Sequence, residues 1–154
     1  MSKSIKSLAA ALALTLSATA MAQQATKPEQ LIKWRQSVYQ ILAWNTGRIK
    51  NNVEGQFNKD EVVKAANVIA ALANSGLGAL YAPGTETGKG WKDTAAKPEI
   101  FTDKKAAEAA GNFVKEANEL AKIAATGDVA AIKVQQGKLT QTCKACHDDF
   151  RRKD

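Results

Sequence analysis

Histidine, cysteine and methionine are nearly missing from this 154-residue sequence, which holds one, two and two of them. Both methionines, Met1 and Met21, fall before residue 22, so a chain processed after Ala22 keeps neither. Two Cys and one His fall short of the roughly four ligands that a structural zinc site takes. Long apolar runs are missing as well: the run from Leu8 to Leu16 is far below the ~20 residues of a membrane-spanning helix, and no other segment comes close. No internal repeat or low-complexity tract is present, and the many alanines are those of a helical protein. A phosphate loop is lacking too. Gly84-x-x-x-Gly88-Lys89-Gly90 is one residue short, ends in the wrong residue type and follows no strand pattern.

What is there is concentrated near the C-terminus. Cys143-Lys144-Ala145-Cys146-His147 reads C-x-x-C-H, the attachment signature of a c-type haem. Two thiols add to the haem vinyl groups as thioethers, and the neighbouring imidazole supplies an axial nitrogen to iron. On a helix the three residues lie at i, i+3 and i+4 and share one side, so a porphyrin can be stitched along a single stripe. A redox disulfide is the competing reading of C-x-x-C, but it prefers a helix N-terminus after a strand, and no strand pattern precedes Cys143.

With 45% hydrophobic and 24% charged residues, the composition suits one globular domain with its own core. Residues 1–22 read as a secretory signal peptide: Lys3 and Lys6 precede the Ala/Leu run, and Ala20-Met21-Ala22 forms a small-x-small cleavage site. The expected product is a periplasmic domain spanning 23–154, with no membrane span. Export agrees with haem c, whose attachment takes place on the outer side of the bacterial inner membrane. The formal charge of +7 includes the two leader lysines and no leader acid, so the mature chain stands at 7 − 2 = +5. Its Lys and Arg are scattered among acids and its location is outside the cytoplasm, so it does not read as a nucleic-acid binder. The terminal Arg151-Arg152-Lys153 fits a helix C-terminus, which favours cations.

The periodicity predicts four helices in an all-α, antiparallel up-down-up-down bundle. Thr26 and Glu29 are spaced as a capping box with Pro28 in the first turn, and Leu31, Arg35, Val38, Leu42 and Ile49 recur at helical spacing to about Asn51. Trp34, Ile41 and Trp44 widen that arc beyond what one bundle core needs. Either they bury a second face in a subunit contact, or they lie flat and half exposed on a monomer. Asn58 and Glu61 head a second helix with Val62, Ala65, Ala66, Ile69, Leu72 and Ala73 as its stripe. Gly76 to Gly90 holds five of the ten glycines and Pro83, and reads as a loop. Thr102 or Asp103 can cap a third helix to Gly127, with Ala106, Ala110, Phe113, Ala117, Leu120 and Ala124 on one face. Asp128 opens the fourth, whose stripe Val129, Ile132, Gln136, Leu139, Cys143, Cys146, Phe150 steps by three and four and carries the thiols into the bundle core.

His147 is the only histidine, and after processing there is no methionine. A haem that shuttles electrons usually holds iron between two strong ligands such as His/Met. Here Lys, Tyr, a terminal amine or water would have to serve, and none is signposted. The expectation is a five-coordinate, high-spin iron with a mostly apolar second face, open to a small diatomic molecule. Peroxidase-like chemistry would want a distal acid-base group, and no distal His is available, so an enzyme is not expected.

The chain also resembles the cytochrome c′ family over essentially the whole mature sequence. The match is carried by Cys143 to Arg152 and by Lys33-Trp34-Arg35-Gln36-Ser37-Val38-Tyr39, with Trp44-Asn45 and Gly47-Arg48-Ile49-Lys50 after it. Asn67-Val68-Ile69-Ala70 and Ala82-Pro83-Gly84-Thr85-Glu86 are similar to the family's second helix and following loop. The resemblance implies Cys143 and Cys146 as thioether cysteines and His147 as the axial iron ligand of one covalent haem c per chain. It implies Arg35, Gln36 and Glu86 at the haem propionates or edge, Tyr39 as cover of the distal face, and Arg151 beside the proximal face, where family members can accept nitric oxide. It further implies a homodimer through the first two helices. Without the family, Tyr39 is an edge-of-core tyrosine, Arg35 a solvated charge, Arg151 a complement to its helix terminus and Glu86 a loop carboxylate.

Two functions follow as expectations: a periplasmic binder of NO and CO that sequesters nitric oxide, or an electron carrier between exported redox partners in which gas binding is incidental. An apolar distal pocket suits NO and CO better than O2, whose polar bound form needs a hydrogen bond. A pyridine haemochrome assay on the purified chain is expected to report one thioether-linked haem; an unlinked haem b spectrum would contradict the C-x-x-C-H reading.

Overall fold

A computed structural model describes residues 26–153. The proposed leader and its cleavage site lie outside the described residues. Four α-helices carry the fold: α1 Pro28–Glu54, α2 Lys59–Ala73, α3 Lys104–Thr126 and α4 Val129–Phe150. Each packs on the next in chain order and α1 closes on α4, so the four form an antiparallel bundle.

Local chemistry starts three of the helices as the sequence predicts. Asn58 Oδ1 accepts from the Glu61 amide at 3.2 Å, Asp103 from Lys105 at 2.9 Å and Asp128 from Ala131 at 3.0 Å. Only half of the second capping box forms, because the Glu61 carboxylate turns to Arg48 on α1 while the Asn58 amide donates to Asn52 Oδ1 at 2.9 Å. The first capping box does not form. Proline prefers the first helical position, so Pro28 puts Lys27 at the N-cap and leaves Thr26 outside with no capping hydrogen bond from the Lys27 side chain. α1 also runs three residues past Asn51, to Glu54. Gly127 ends α3 at φ +80°, a left-handed turn that lets α4 begin almost at once.

The core is made of Leu42 and Ile49 from α1, Val62, Ala65, Ala66 and Ile69 from α2, Ala117, Leu120 and Ala124 from α3, and Ile132 and Leu139 from α4. It is weighted toward the end of the bundle away from the cysteines. Three expectations shift. Ala110 is exposed on the N-terminal half of α3, Val129 is exposed as the first residue of α4, and Ile32, Asn45 and Gln135 are buried without having been read as core. Gln135 is satisfied by the Glu116 carboxylate at 2.7 Å, and Asn45 by the Ile41 carbonyl at 2.9 Å.

The connection from α2 to α3 is long and wraps the cysteine end of the bundle. It contains 3₁₀ turns at Leu77–Leu80 and Pro98–Phe101. It lies against α1, where Gly90 sits so close that a Cβ there would stand 2.6 Å from Gln36 Oε1, 2.8 Å from the Lys33 amide nitrogen and 2.9 Å from Ile32 Cγ2. A Gly90→Ala substitution must push the loop off α1 and is expected to cost about 1–3 kcal/mol. Denaturant unfolding measures this; an unchanged midpoint would show that the contact is not tight.

Candidate functional site

α4 delivers Cys143, Cys146 and His147 along one stripe of its last two turns. Both cysteines are half buried. Burial raises the pKa of each as a thiol. His147 is held below its ordinary pKa, first by burial and then by the Arg151 guanidinium, with Asp148 opposing. Cys146 and His147 form one wall of a cleft of about 320 Å³, with Phe150 and Arg151 beside them. Opposite stand Arg35, Gln36, Tyr39 and Ala43 of α1, with Tyr81, residues 92–96 and Ile100 from the long connection.

Arg35 is buried to 5% exposure, unlike the solvated charge that its type suggests by default. Its Nη1 donates to the Leu80 carbonyl and to Thr85 Oγ1, both at 3.0 Å, and its Nη2 to the Thr85 carbonyl at 2.9 Å and Thr94 Oγ1 at 2.7 Å. The guanidinium also lies 4.6 Å from the centre of the Tyr81 ring. Burial lowers its pKa, but an arginine starts so high that it stays charged. Gln36 pairs with the same loop, accepting from Trp91 N at 2.7 Å and Lys92 N at 3.3 Å and donating to the Lys92 carbonyl at 2.8 Å. Both side chains therefore stand at the cleft edge while fastening the loop that forms its far wall.

Tyr39 faces the cysteine wall, and its phenol accepts a hydrogen bond from Tyr81 Oη at 3.0 Å. Burial raises the pKa of Tyr39 and of Tyr81. Arg151 lines the cleft, and its amide closes α4 on the His147 carbonyl at 3.1 Å. Glu86 is not among the lining residues; its carboxylate accepts from the Gly84 amide at 2.8 Å within its own turn. The basic tail does more than complement its helix. Arg152 Nη1 reaches the Ala96 carbonyl at 2.9 Å and its Nη2 the Thr94 carbonyl, while Lys97 caps α4 from outside, donating to the Asp149 carbonyl at 2.7 Å. Tyr81, Thr85, Thr94 and Lys97 were missed by sequence reasoning. Their only signal was position inside an aromatic-containing, Gly/Pro-rich connection.

The donor set decides what the site can hold. Among the described residues no group of three or more His, Cys, Asp and Glu could hold a bare metal ion. Cys146 and His147 face Tyr39, Ala43 and Ile100 across a cleft with Arg35 and Gln36 at its edge, and Cys143 stands one turn earlier on the same helix, outside the lining, a set that suits a thioether-linked haem. The residues present fit that group.

The model of the family described as Cytochrome C′ matches residues 30–151. A cytochrome c′ of Rhodocyclus tenuis is 67% identical over 130 residues, covering 83% of this chain and 98% of that one. Among solved structures, a cytochrome c′ with an unusual ligand-controlled dimer dissociation superposes with TM-score 0.80 at 46% identity, covering 83% of this chain and 98% of that chain. The nitric oxide complex of a variant cytochrome c prime from Alcaligenes xylosoxidans superposes with TM-score 0.74 at 30% identity, covering 84% and 98%.

Arg35→Ala would leave the Leu80 and Thr85 carbonyls without their donor and is expected to cost about 3 kcal/mol in thermal unfolding. Arg35→Lys should recover little of this, because one ammonium cannot reproduce the fork. Recovery of most of the stability by lysine would show that charge alone matters here.

Proposed function

The chain belongs to the cytochrome c′ family, and from that premise we propose that it is a periplasmic haem c protein whose iron binds small diatomic gases, with nitric oxide sequestration or protection as its role. Proteins of this family carry covalently attached haem c, which is therefore the cofactor of this chain, one per C-x-x-C-H motif. Cys143 and Cys146 hold it, His147 supplies the axial nitrogen, Arg35 and Gln36 bound its edge, and Arg151 stands on the His147 side of the cleft.

The observation that carries the reading is the scarcity of ligands. The sequence has one histidine, and no methionine lies beyond position 21. Tyr39, across the cleft, has its phenol oxygen engaged by Tyr81. Bound there, haem supplies an iron with one open coordination position, which in its ferrous form takes strong-field neutral ligands such as NO and CO. The chain contributes Tyr39 across the cleft, an apolar wall at Ala43, Ile100 and Phe150, and no distal imidazole that could serve acid-base catalysis. Binding, and not catalysis, is accordingly the proposed activity. The nitric oxide complex of a similar protein supports it. Electron carriage is the second reading, open to any haem iron that changes valence.

A homodimer through the first two helices is part of the proposal. Trp34, Ile41 and Trp44 on α1 are 47%, 43% and 63% exposed, and Val68 on α2 is 39% exposed. Arg48 lies 4.8 Å from the centre of the Trp44 ring and ties it to Glu61 on α2, so the exposed indole is ordered by both helices. That ligand-controlled dimer dissociation occurs in a similar protein supports coupling between the two properties. No described helix is long and apolar enough to cross a membrane.

Titrating the reduced protein with NO and CO is expected to give one saturable site per chain; no spectral change with either gas would leave electron carriage as the better reading. Sedimentation of the reduced protein is expected to show a dimer that loses mass on adding CO, whereas identical mass in both states excludes the coupling.

A further inference from the structure

Tyr39 stands on a continuous helix, in the wall of the cleft opposite Cys146 and His147. The atom that ties it down is its phenol oxygen, 3.0 Å from Tyr81 Oη. Tyr81, by contrast, is anchored on several sides. The Arg35 guanidinium lies over its ring at 4.6 Å, Phe101 packs against it at 6.3 Å with a 58° tilt, and its amide bonds the Gly78 carbonyl at 3.0 Å. Arg35 also grips the carbonyl of the preceding residue, Leu80. The Tyr39 ring on α1 is thus hooked to a ring anchored in the connection.

We propose that Tyr81 is the positioning residue of the cleft: its hydroxyl latches Tyr39 over the open face, and gas reaches the iron only when that hydrogen bond breaks. This rests on the gas-binding reading. The α2–α3 connection, held by Arg35, then sets the speed of entry although Tyr81 itself need not touch the ligand. Breaking one neutral hydrogen bond is a small barrier, equivalent to a rate change of about two- to tenfold. The latch also predicts an effect with no ligand present. Tyr39 and Tyr81 are the only tyrosines, so tyrosinate absorbance at alkaline pH reads this pair alone. Burial raises the Tyr39 pKa and the hydrogen bond from Tyr81 opposes it, so removing the Tyr81 hydroxyl makes Tyr39 harder to ionise.

Stopped-flow CO association with the reduced holoprotein tests the idea in wild type, Tyr81→Phe, Tyr39→Phe and the double variant. Either single variant should bind CO about two- to tenfold faster, and the double variant no faster than the singles, because all three lack the same bond. The tyrosinate transition of Tyr81→Phe should begin at higher pH than that of the wild type, because Tyr39 has lost the donor that favours its phenolate. If wild type binds CO and Tyr81→Phe leaves the rate unchanged, or if the two single effects multiply, the latch is wrong while the binding reading stands. If wild type takes up no CO, both fall together. Because Tyr39→Phe breaks the bond from the α1 side, a failure of Tyr81→Phe to fold still leaves a decisive measurement.

Discussion

A guanidinium taken out of water has to find its hydrogen bonds inside the protein, and at Arg35 that requirement shapes everything around the cleft. α1 offers it no acceptors, so two carbonyls and two hydroxyls come from Leu80, Thr85 and Thr94, on a connection that would otherwise have little reason to bend back over α1. With the loop held, Tyr81 comes to rest against Arg35 and reaches Tyr39. The far end of the loop is fastened to α4 in turn, by Lys97 on its last carbonyls and by Arg152 on the carbonyls of Thr94 and Ala96. One buried cation thus ties α1 to the connection, and Lys97 and Arg152 carry the link on to the helix that bears the thiols.

The bundle divides its work along its length. At one end Ile49, Val62, Ile69, Leu120 and Ile132 are wholly buried and make a conventional apolar core. At the other, alanines on α3 and the half-buried thiols of α4 contribute little packing, and polar contacts from the loop take over. A cofactor joined to Cys143 and Cys146 therefore adjoins the bundle core without displacing it. Its surroundings are set by residues that the core does not need, which leaves Tyr39 and Tyr81 free to serve access.

The parts legible from sequence are those fixed by neighbours in the chain. The caps at Asn58, Asp103 and Asp128 reach two or three residues forward, and the C-x-x-C-H spacing lies within five residues. The cap at Thr26 failed because a proline two residues on sets the helix start more strongly. The clamp was not legible, since Arg35 meets partners 45, 50 and 59 residues away inside a loop with no periodicity. Sequence alone placed Arg35 with a ligand's edge by family likeness; its backbone partners emerge only when the loop is folded over it. Glu86 shows the reverse: a residue singled out by likeness whose carboxylate closes a local turn.

The central claim is an iron held from one side, by the one imidazole the chain contains, under a tyrosine already engaged elsewhere. The absorption spectrum of the purified, reduced protein with nothing added tests that most directly. A broad, five-coordinate, high-spin ferrous spectrum is predicted. A sharp six-coordinate, low-spin spectrum would contradict it, because a lysine, an amine or another group would then hold the second face of the iron.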